Sequence, residues 1–218
     1  METSEHEIPL FPLNMVLFPQ MVYPLHIFEE RYKDMLNTCL GSDSRFGVVL
    51  IKEGKDVGEP AVPHDWGTMA RIIRCIPLDD GSFNILVMGE RRVQIKEITQ
   101  WLPYEKARVN FPDEVVGEPP PTKEELDSFQ HLLERHLRTL MGLRGAWVRE
   151  VSSPTDPIDL SFYASAVIRG ERNERQRILQ TPTAKERLAM LTPALQREYR
   201  RNRRRLEERF DTKGIRLN

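Results

Sequence analysis

The histidines and cysteines that could carry catalysis or bind metals are few in this sequence and poorly spaced. The five histidines include no H-E-x-x-H motif, and His131 and His136 are five residues apart, which does not put two ligands on one helix face. Cys39 and Cys75 are too far apart for a C-x-x-C metal site. There is no G-x-S-x-G motif for a hydrolase serine and no G-x-x-x-x-G-K-[ST] loop for a nucleotide. The sequence therefore predicts no catalytic residue, no metal site and no cofactor.

Side chains suited to binding other polypeptides are more plentiful. Methionine adapts to different partners because its unbranched thioether repacks easily, and aromatic side chains dominate binding energy at interfaces. The histidine within Pro24-Leu-His-Ile-Phe28 either lines a groove or fixes a strand–helix junction by a hydrogen bond, and the second interpretation is favoured. The candidate peptide-binding residues are Met15, Met21, Tyr23, His26, Trp66, Met69 and Met88. For the six residues other than His26, burial in the core is the favoured alternative.

A dense run of arginines lies near the end of the chain. Its members are Arg200, Arg201, Arg203, Arg204 and Arg205. Such a cluster can neutralise phosphates, so contact with nucleic acid or with a partner is one hypothesis. However, Glu207 and Glu208 follow two of the arginines at i+4, where opposite charges support a solvated helix, and no RNP-like aromatic motif is present. A solvated or partner-contacting helix is the favoured interpretation.

The composition predicts a globular, cytoplasmic protein with reduced thiols. The chain has 218 residues, of which 39% are hydrophobic and 30% charged, and its formal net charge is −1. The apolar runs are too short to span a membrane, and the first residues lack the features of a signal peptide. The charge is uneven, because residues 169–218 carry 15 basic and 7 acidic residues (net +8) whereas residues 1–168 carry 17 and 26 (net −9). This asymmetry predicts two bodies of different character.

The first body is predicted to consist mainly of short strands. Runs rich in β-branched and aromatic residues begin at Phe46, Thr68 and Phe83, and Asp79-Asp80-Gly81-Ser82 supplies turn residues between two of them. Several short strands with turn signals are typical of a small barrel or sandwich. One helix, from about Glu29 to Leu40, interrupts the strands.

The second body is predicted to be helical. Gly117-Glu118-Pro119-Pro120-Pro121 forms the linker between the two bodies, because three consecutive prolines fit neither a helix nor a strand. The predicted domains are therefore residues 1–118 and 122–218. Helix starts are predicted at Thr122, at Asp156 and at Thr183, each with capping residues. A further helix is predicted over 171–180, and the last helix extends to about Phe210 and is either kinked or restarted at Pro193.

Several ordered motifs resemble one family over nearly the whole chain. They are Ile8-Pro-Leu-Phe-Pro-Leu-Asn-Met-Val-Leu-Phe-Pro19, Tyr23-Pro-Leu-His-Ile-Phe-Glu-Glu-Arg-Tyr32, Phe46-Gly-Val-Val-Leu-Ile51, Gly67-Thr-Met-Ala-Arg-Ile72, Gly89-Glu-Arg-Arg-Val-Gln-Ile95, Tyr104-Glu-Lys-Ala-Arg-Val109, Gln176-Arg-Ile-Leu-Gln180 and Glu186-Arg-Leu-Ala-Met-Leu191. In this order they resemble the amino-terminal, substrate-binding domain of Lon proteases. Trp66, where the family usually has a smaller aliphatic residue, and the arginine-rich end depart from that pattern.

The resemblance implies an α+β fold in which a PUA-like β-barrel with one inserted helix precedes an α-helical bundle ending in a long helix. It also implies a stand-alone member, because neither the ATPase nor the peptidase part of a Lon protease is found in the sequence. The function expected from it is non-enzymatic binding of exposed apolar or unfolded polypeptide segments, with a protease complex as a further expected partner. The alternative is RNA binding through the barrel and the arginine-rich helix, since PUA domains proper bind RNA.

Self-association is a side prediction. The apolar stripe Leu195, Tyr199, Leu206 and Phe210 extends into the arginine cluster. The sequence leaves open whether this stripe packs within the chain or weakly against a second copy. No membrane partner is expected.

Overall fold

The computed structural model of the chain describes residues 6–55 and 57–211. Within these residues the chain forms six strands and five helices, which confirms the predicted α+β class. The strands are β1 His6–Leu13, β2 Val22–Ile27, β3 Arg45–Glu53, β4 Val62–Pro77, β5 Phe83–Gln100 and β6 Lys106–Asn110. The helices are α1 Glu30–Leu40, α2 Lys123–Leu143, α3 Pro157–Val167, α4 Arg172–Gln180 and α5 Ala184–Asp211. None of the helices in the described ranges is long and apolar enough to cross a membrane.

The chain divides into two compact units. The first comprises Met1–Asp113 with Glu171–Gln180, and the second comprises Glu114–Gly170 with Thr181–Asn218. All six strands and α1 belong to the first unit together with α4, whereas α2, α3 and α5 belong to the second. The predicted division at the 117–121 linker assigned α4 to the helical part. In the structure α4 packs on β4, and its side chains bond residues of the strand unit.

The strands of the first unit form one sheet in the order β2-β5-β4-β3-β1-β6. Among the described pairings of this sheet only β1–β3 is parallel, and the others are antiparallel. Strand β6 pairs with β1 and also with β5, so the series of pairings from β5 to β6 returns to β5. Among the described strands β2 pairs with β5 alone, and it lies at the edge of the sheet.

The predicted helix of the first unit is confirmed as α1. Its residues Tyr32, Met35, Leu36 and Cys39 recur at helical spacing and are all buried. They join Phe11, Phe46 and Val87 in a core cluster that the sheet covers. A second cluster contains Leu10, Val49, Met69 and Val109. This rigid core fixes which face of β2, β5 and β4 points outward.

The three predicted helix starts of the second unit are confirmed. Thr122 and Glu125 form a reciprocal capping box at α2, and the Asp156 carboxylate accepts hydrogen bonds from two main-chain amides at the start of α3. At α5 the Thr183 hydroxyl accepts the amide hydrogen of Glu186 at 3.2 Å. Each cap satisfies amide groups that the first helical turn leaves unpaired.

Helices α2 and α5 run side by side in the same direction. Arg135 in the middle of α2 donates to the Tyr199 hydroxyl at 2.8 Å, and Arg209 near the end of α5 donates to the carbonyl of Leu143, the last residue of α2. Helix α5 has 28 residues and continues through Pro193 without restarting there. The Thr192 hydroxyl donates to the Leu188 carbonyl at 2.8 Å within the helix and does not cap a new one.

Candidate functional site

Large apolar side chains are exposed on one face of strands β2, β5 and β4. Val22 is 50% exposed, Phe28 49%, Ile73 43% and Ile76 40%. The outer face, as we call this surface, consists of Val22, Pro24, His26, Phe28, Ile73, Ile76, Leu86 and Met88. Scattered apolar residues are normal on a protein surface, but a group of neighbours on adjacent strands is characteristic of a binding site.

Strand register places these residues side by side. Val22 is opposite Met88 and Pro24 is opposite Leu86 across the β2–β5 pair, and Ile76 is opposite Asn84 across the β4–β5 pair. Alternate residues of the same strands point into the first core cluster, because successive side chains in a strand point to opposite faces. Because every second side chain of these strands is buried in the core, the side chains between them lie on the outer face.

A register irregularity exposes one further isoleucine. Ile72 is opposite the buried Val87, but the next regular pair is Arg74 with Leu86, which leaves Ile73 as an extra residue in β4. A bulge of this kind re-aims a side chain, and Ile73 is exposed while Ile72 is buried. The bulge thus adds an apolar side chain to the outer face.

Polar groups on and beside the outer face are organised. The His26 ring bonds Asn84 Oδ1 across the strands through Nδ1 at 2.9 Å and stacks on Phe28 with ring centroids 5.7 Å apart. Beside Met88, the carboxylate of Glu90 forms ion pairs with Arg45 at 2.7 Å and Arg71 at 2.8 Å. These contacts hold the rim in place and leave the apolar side chains facing solvent.

The outer face adjoins the unpaired edge of β2. Gly89 donates its amide hydrogen to the Met21 carbonyl at 2.9 Å, and strand alternation then directs the main-chain groups of Tyr23, Leu25 and Ile27 to β5. The main-chain groups of Val22 and His26 consequently point to the free edge. Pro24 is in the same row and has no N–H, so this edge offers fewer donors than an ordinary edge strand.

The structure distributes the seven predicted peptide-binding residues among different environments. His26 and Met88 lie on the outer face. Met15, Met21 and Tyr23 are half-buried against the first core cluster, and Met69 is buried in the second. Val22, Phe28, Ile73 and Ile76 were not predicted. The alternation of Val22-Tyr-Pro-Leu-His-Ile27 and the doublet Ile72-Ile73 are the signals that could have indicated them.

Trp66, the remaining predicted residue, lies beneath α4. Its carbonyl accepts a hydrogen bond from Gln176 Nε2 at 2.9 Å, and its ring centroid is 5.2 Å from the guanidinium carbon of Arg92. Arg92 is buried and donates to the carbonyl of Leu179, in the last turn of α4, at 2.9 Å. Trp66 therefore forms part of the surface on which α4 packs within the first unit.

A second apolar surface lies in the second unit, between the first halves of α2 and α5. It is a groove of about 460 Å³. Its apolar lining residues are Leu126, Phe129, Leu132, Leu188 and Ala189. Two polar lining residues are engaged in holding helix ends, since Glu125 accepts from the Thr122 amide at 2.8 Å and Lys185 donates to the Pro119 carbonyl at 2.8 Å.

The predicted arginine cluster lies along the second half of α5. All five arginines are exposed. Arg203 pairs with Glu207 at 2.8 Å, and Arg201 lies 3.6 Å from Glu198. The i+4 pairing expected for a solvated helix is thus present at Arg203.

Burial raises the pKa of titratable side chains in the first unit. It raises the pKa of the Cys39 thiol to about 11, with the negative charge of Asp43 adding to the effect. Burial also raises the pKa of the Glu105 carboxyl and of the Tyr32 hydroxyl. A protonated thiol is a poor nucleophile, because the thiolate is the reactive form. Across residues 6–55 and 57–211, no three His, Cys, Asp or Glu side chains are grouped as metal ligands.

Comparison with known proteins identifies the family. The family model of the ATP-dependent protease La (LON) substrate-binding domain matches residues 7–197. The chain belongs to this family. The match is to the Lon substrate-binding domain and not to the peptidase domain.

Full Lon proteases are among its relatives. Lon protease 2 of Myxococcus xanthus is 27% identical over 194 residues, which are 88% of this chain and 24% of that protein. The Lon protease of Desulfovibrio desulfuricans is 27% identical over 203 residues, which are 91% of this chain and 23% of that protein. The chain thus spans about a quarter of the length of the curated relatives that it matches.

Solved Lon amino-terminal domains share the fold. A Lon N-terminal domain protein from Xanthomonas campestris superposes with a TM-score of 0.64 at 25% identity, over 86% of this chain and 98% of that one. The N-terminal domain of a Mycobacterium avium complex Lon protease gives a TM-score of 0.61 at 22% identity, over 88% of this chain and 98% of that one. The second likeness bears on the fold alone.

Motif residues of the Lon substrate-binding domain have structural roles in this chain. Arg187 is buried in the second unit, donates to the Ser161 hydroxyl at 2.9 Å and pairs with Glu114 at 3.3 Å. Gly67 and Gly89 lie where an added Cβ would be 2.5 Å and 2.2 Å from a main-chain oxygen. These residues hold the fold and do not face the outer surface.

Proposed function

We propose that this Lon substrate-binding domain binds exposed apolar segments of unfolded polypeptides on its outer face. The family itself supports a role in substrate recognition. The observation that carries the proposal is the group of four large apolar side chains, each at least 40% exposed, on β2, β4 and the residue after β2. An unfolded chain exposes apolar side chains that a folded chain buries, so such a surface selects unfolded polypeptides by the hydrophobic effect.

The free edge of β2 favours a ligand in extended conformation. A peptide lying beside β2 would pair with the outward main-chain groups of Val22 and His26 and place alternate side chains on the outer face. Because Pro24 supplies no donor, this pairing is limited, and most of the affinity comes from apolar contact. A small, flat surface of this kind binds weakly and reversibly, as suits a protein that meets many sequences.

Three further features belong to the same proposal. The return of the strand pairings from β6 to β5 supports a PUA-like barrel in the first unit. Polypeptide clients, and a protease complex that receives them, are the proposed partners, and the cytoplasm is the proposed location. Binding without catalysis is the proposed mode of action.

The experiment replaces two outer-face isoleucines. The double variant Ile73→Ser/Ile76→Ser is compared with Val57→Ser/Val62→Ser, in which two equally exposed residues away from the outer face are changed. The probe is fluorescently labelled casein, which remains unfolded in solution, and binding is followed by anisotropy. We expect at least a fivefold loss of affinity in the isoleucine variant, because it removes two apolar side chains that a bound polypeptide would cover, and no change in the valine variant.

Two outcomes would contradict the proposal. One is equal affinity for the wild-type chain and the isoleucine variant. The other is a loss of binding in the groove variant Leu132→Ser with the isoleucine variant unaffected, which would assign the site to the α2–α5 groove. Circular dichroism of each variant verifies that the folded state is retained.

A further inference from the structure

The far end of the α2–α5 pair carries an exposed tryptophan. Trp147, in the loop after α2, is 69% exposed and packs one part of its indole on Phe210, with ring centroids 5.4 Å apart. The end of α2 that precedes this loop lies against α5, since an added Cβ at Gly142 would be 3.3 Å from Leu206, and Arg209 donates to the Leu143 carbonyl. Residues 144–149 and 200–210 together form what we call the basic aromatic surface.

Arginines dominate the charge of this region. Residues 135–150 and 197–210 contain 11 arginines and 4 acidic residues, a net charge of +7. Five of the arginines are exposed, and within the described part of the chain their guanidinium groups make no hydrogen bond or ion pair. They are Arg144, Arg149, Arg200, Arg204 and Arg205. These guanidinium groups are available to an anionic partner, whereas Arg203 is already paired with Glu207.

We propose that the basic aromatic surface binds single-stranded nucleic acid. Guanidinium groups pair with phosphates, and an exposed indole offers a platform on which an unpaired base stacks. An acidic polypeptide would match the positive charge equally well but has no need of the indole. A duplex would satisfy the arginines, yet its bases are already stacked on one another and leave Trp147 without a partner. The combination of charge and exposed aromatic ring therefore favours a single strand.

The test uses the whole chain and a fluorescein-labelled 15-nucleotide oligouridine. Anisotropy titrations at 50 to 200 mM salt measure the affinity and its salt dependence. With four or five phosphates neutralised, the slope of log K against log salt is expected to be roughly −3, which is about a 60-fold loss of affinity over this range. The variant Trp147→Ala is expected to bind roughly tenfold more weakly, while the control Trp101→Ala, an exposed tryptophan of the first unit, binds like the wild type.

A charge variant tests the arginines separately. Arg200→Gln/Arg205→Gln should make the salt slope shallower by about 1.4, since each phosphate contact contributes about 0.7. The control Lys52→Gln/Lys55→Gln removes the same charge from the first unit and should leave the slope unchanged. In a Trp101→Phe background, oligouridine should quench part of the tryptophan fluorescence, and this quenching should be absent from Trp101→Phe/Trp147→Ala, in which only Trp66 remains.

Specific outcomes would overturn the proposal. Absence of binding at 50 mM salt is the first. Binding that does not distinguish Trp147→Ala from Trp101→Ala, or displacement by polyglutamate at the same charge concentration as by oligouridine, would identify a surface for acidic polypeptides. Equal affinity for a 15-base-pair duplex without tryptophan quenching would exclude recognition of single strands.

Discussion

Two buried arginines of the family motifs hold neighbouring segments of the chain by hydrogen bonds to main-chain carbonyls. Arg92 donates to the carbonyl of Leu179 at the end of α4, and Arg187 donates to the carbonyls of Thr181 and Pro182 just before α5. A planar guanidinium with five donors can bond several carbonyls at once, whereas a lysine ammonium in the same place cannot reproduce that geometry. Sequence reasoning identified these positions as motif members without revealing that they are buried.

His136 gives the first residue-scale prediction, which concerns stability and pH. The ring is fully buried in the second unit, its Nε2 lies 3.5 Å from Glu198 Oε2, and burial together with the charge of Arg201 lowers its pKa to about 4. The His136 ring takes up a proton near pH 6.5 in the unfolded chain but only near pH 4 in the native state. The free energy of unfolding should therefore fall as the pH decreases between these two values. The expected loss is roughly 3 kcal/mol at 1.36 kcal/mol per unit.

Urea unfolding between pH 4 and 7 measures this effect. The variant His136→Leu removes the titrating ring. Its stability should be nearly independent of pH in that interval, except for the contribution of carboxylates that titrate in both the variant and the wild type. His131, an exposed histidine of the same helix, provides the control His131→Leu, which should keep the wild-type pH dependence. An unchanged pH dependence in His136→Leu would show that His136 is not held neutral in the native state.

At the scale of elements, β5 shows how a glycine extends a strand. The sequence predicts one of several short strands from Phe83, but the structure has a single strand of 18 residues there. Gly89 lies within it, at a point where the Phe18 carbonyl approaches closely and where Gly89 also bonds Gln20 and Met21 through its main chain. The long strand then serves β2, β4 and β6 as a common partner.

Replacement of this glycine should therefore be costly. In Gly89→Ala the new Cβ would lie 2.2 Å from the Phe18 main-chain oxygen. Because this oxygen belongs to the main chain, no side-chain rotation can relieve the clash. We expect a destabilisation of roughly 2–4 kcal/mol, because the β5 main chain must shift. The measurement is the urea midpoint of each variant relative to the wild type.

Gly41 provides the matched control. It ends α1 with a φ of −78°, and an alanine Cβ there would have no atom nearer than 3.5 Å. Gly41→Ala should be neutral or stabilising by about 0.5 kcal/mol, because it restricts the unfolded chain without strain. Similar midpoints for the two variants would contradict the assignment of a close approach at Gly89.

Local signals in the sequence were sufficient for some elements and insufficient for others. Helix α1 and the starts of α2, α3 and α5 follow from caps and apolar spacing, which act within a few residues. The parallel pairing of β1 with β3 depends on contacts between distant residues, and so does the exposure of Ile73 beside a buried Ile72. For the same reason the motif around His26 was recognised, while the apolar neighbours that complete the outer face were not.

At the scale of the whole molecule, the chain passes between its two units three times. It leaves the first unit at Asp113, returns to it as α4, and re-enters the second unit at Thr181. The sequence contains no composition change that would mark α4 as part of the strand unit, since this helix is polar and rich in arginine. The hydrogen bonds of α4 to Arg92 and to the Trp66 carbonyl assign it to the strand unit.

This threading predicts which unit a mutation in α4 destabilises. Leu179 is buried and belongs to α4 of the first unit, and Leu179→Ala should lower the stability of that unit by about 2–5 kcal/mol. Leu195, equally buried in α5, provides the counterpart Leu195→Ala, which should act on the second unit. The three tryptophans report the two units separately, because Trp66 and Trp101 lie in the first and Trp147 in the second.

Urea titration followed by ¹⁹F NMR of 5-fluorotryptophan resolves these reporters. In Leu179→Ala the midpoint of the Trp66 resonance should decrease while that of Trp147 stays in place, and Leu195→Ala should give the reverse. If Leu179→Ala instead moved only the Trp147 midpoint, α4 would be energetically part of the helical unit, as the proline-rich linker alone suggests. Identical shifts of all three resonances in both variants would mean that the two cores unfold as one, because separate cores lose their contacts in separate transitions.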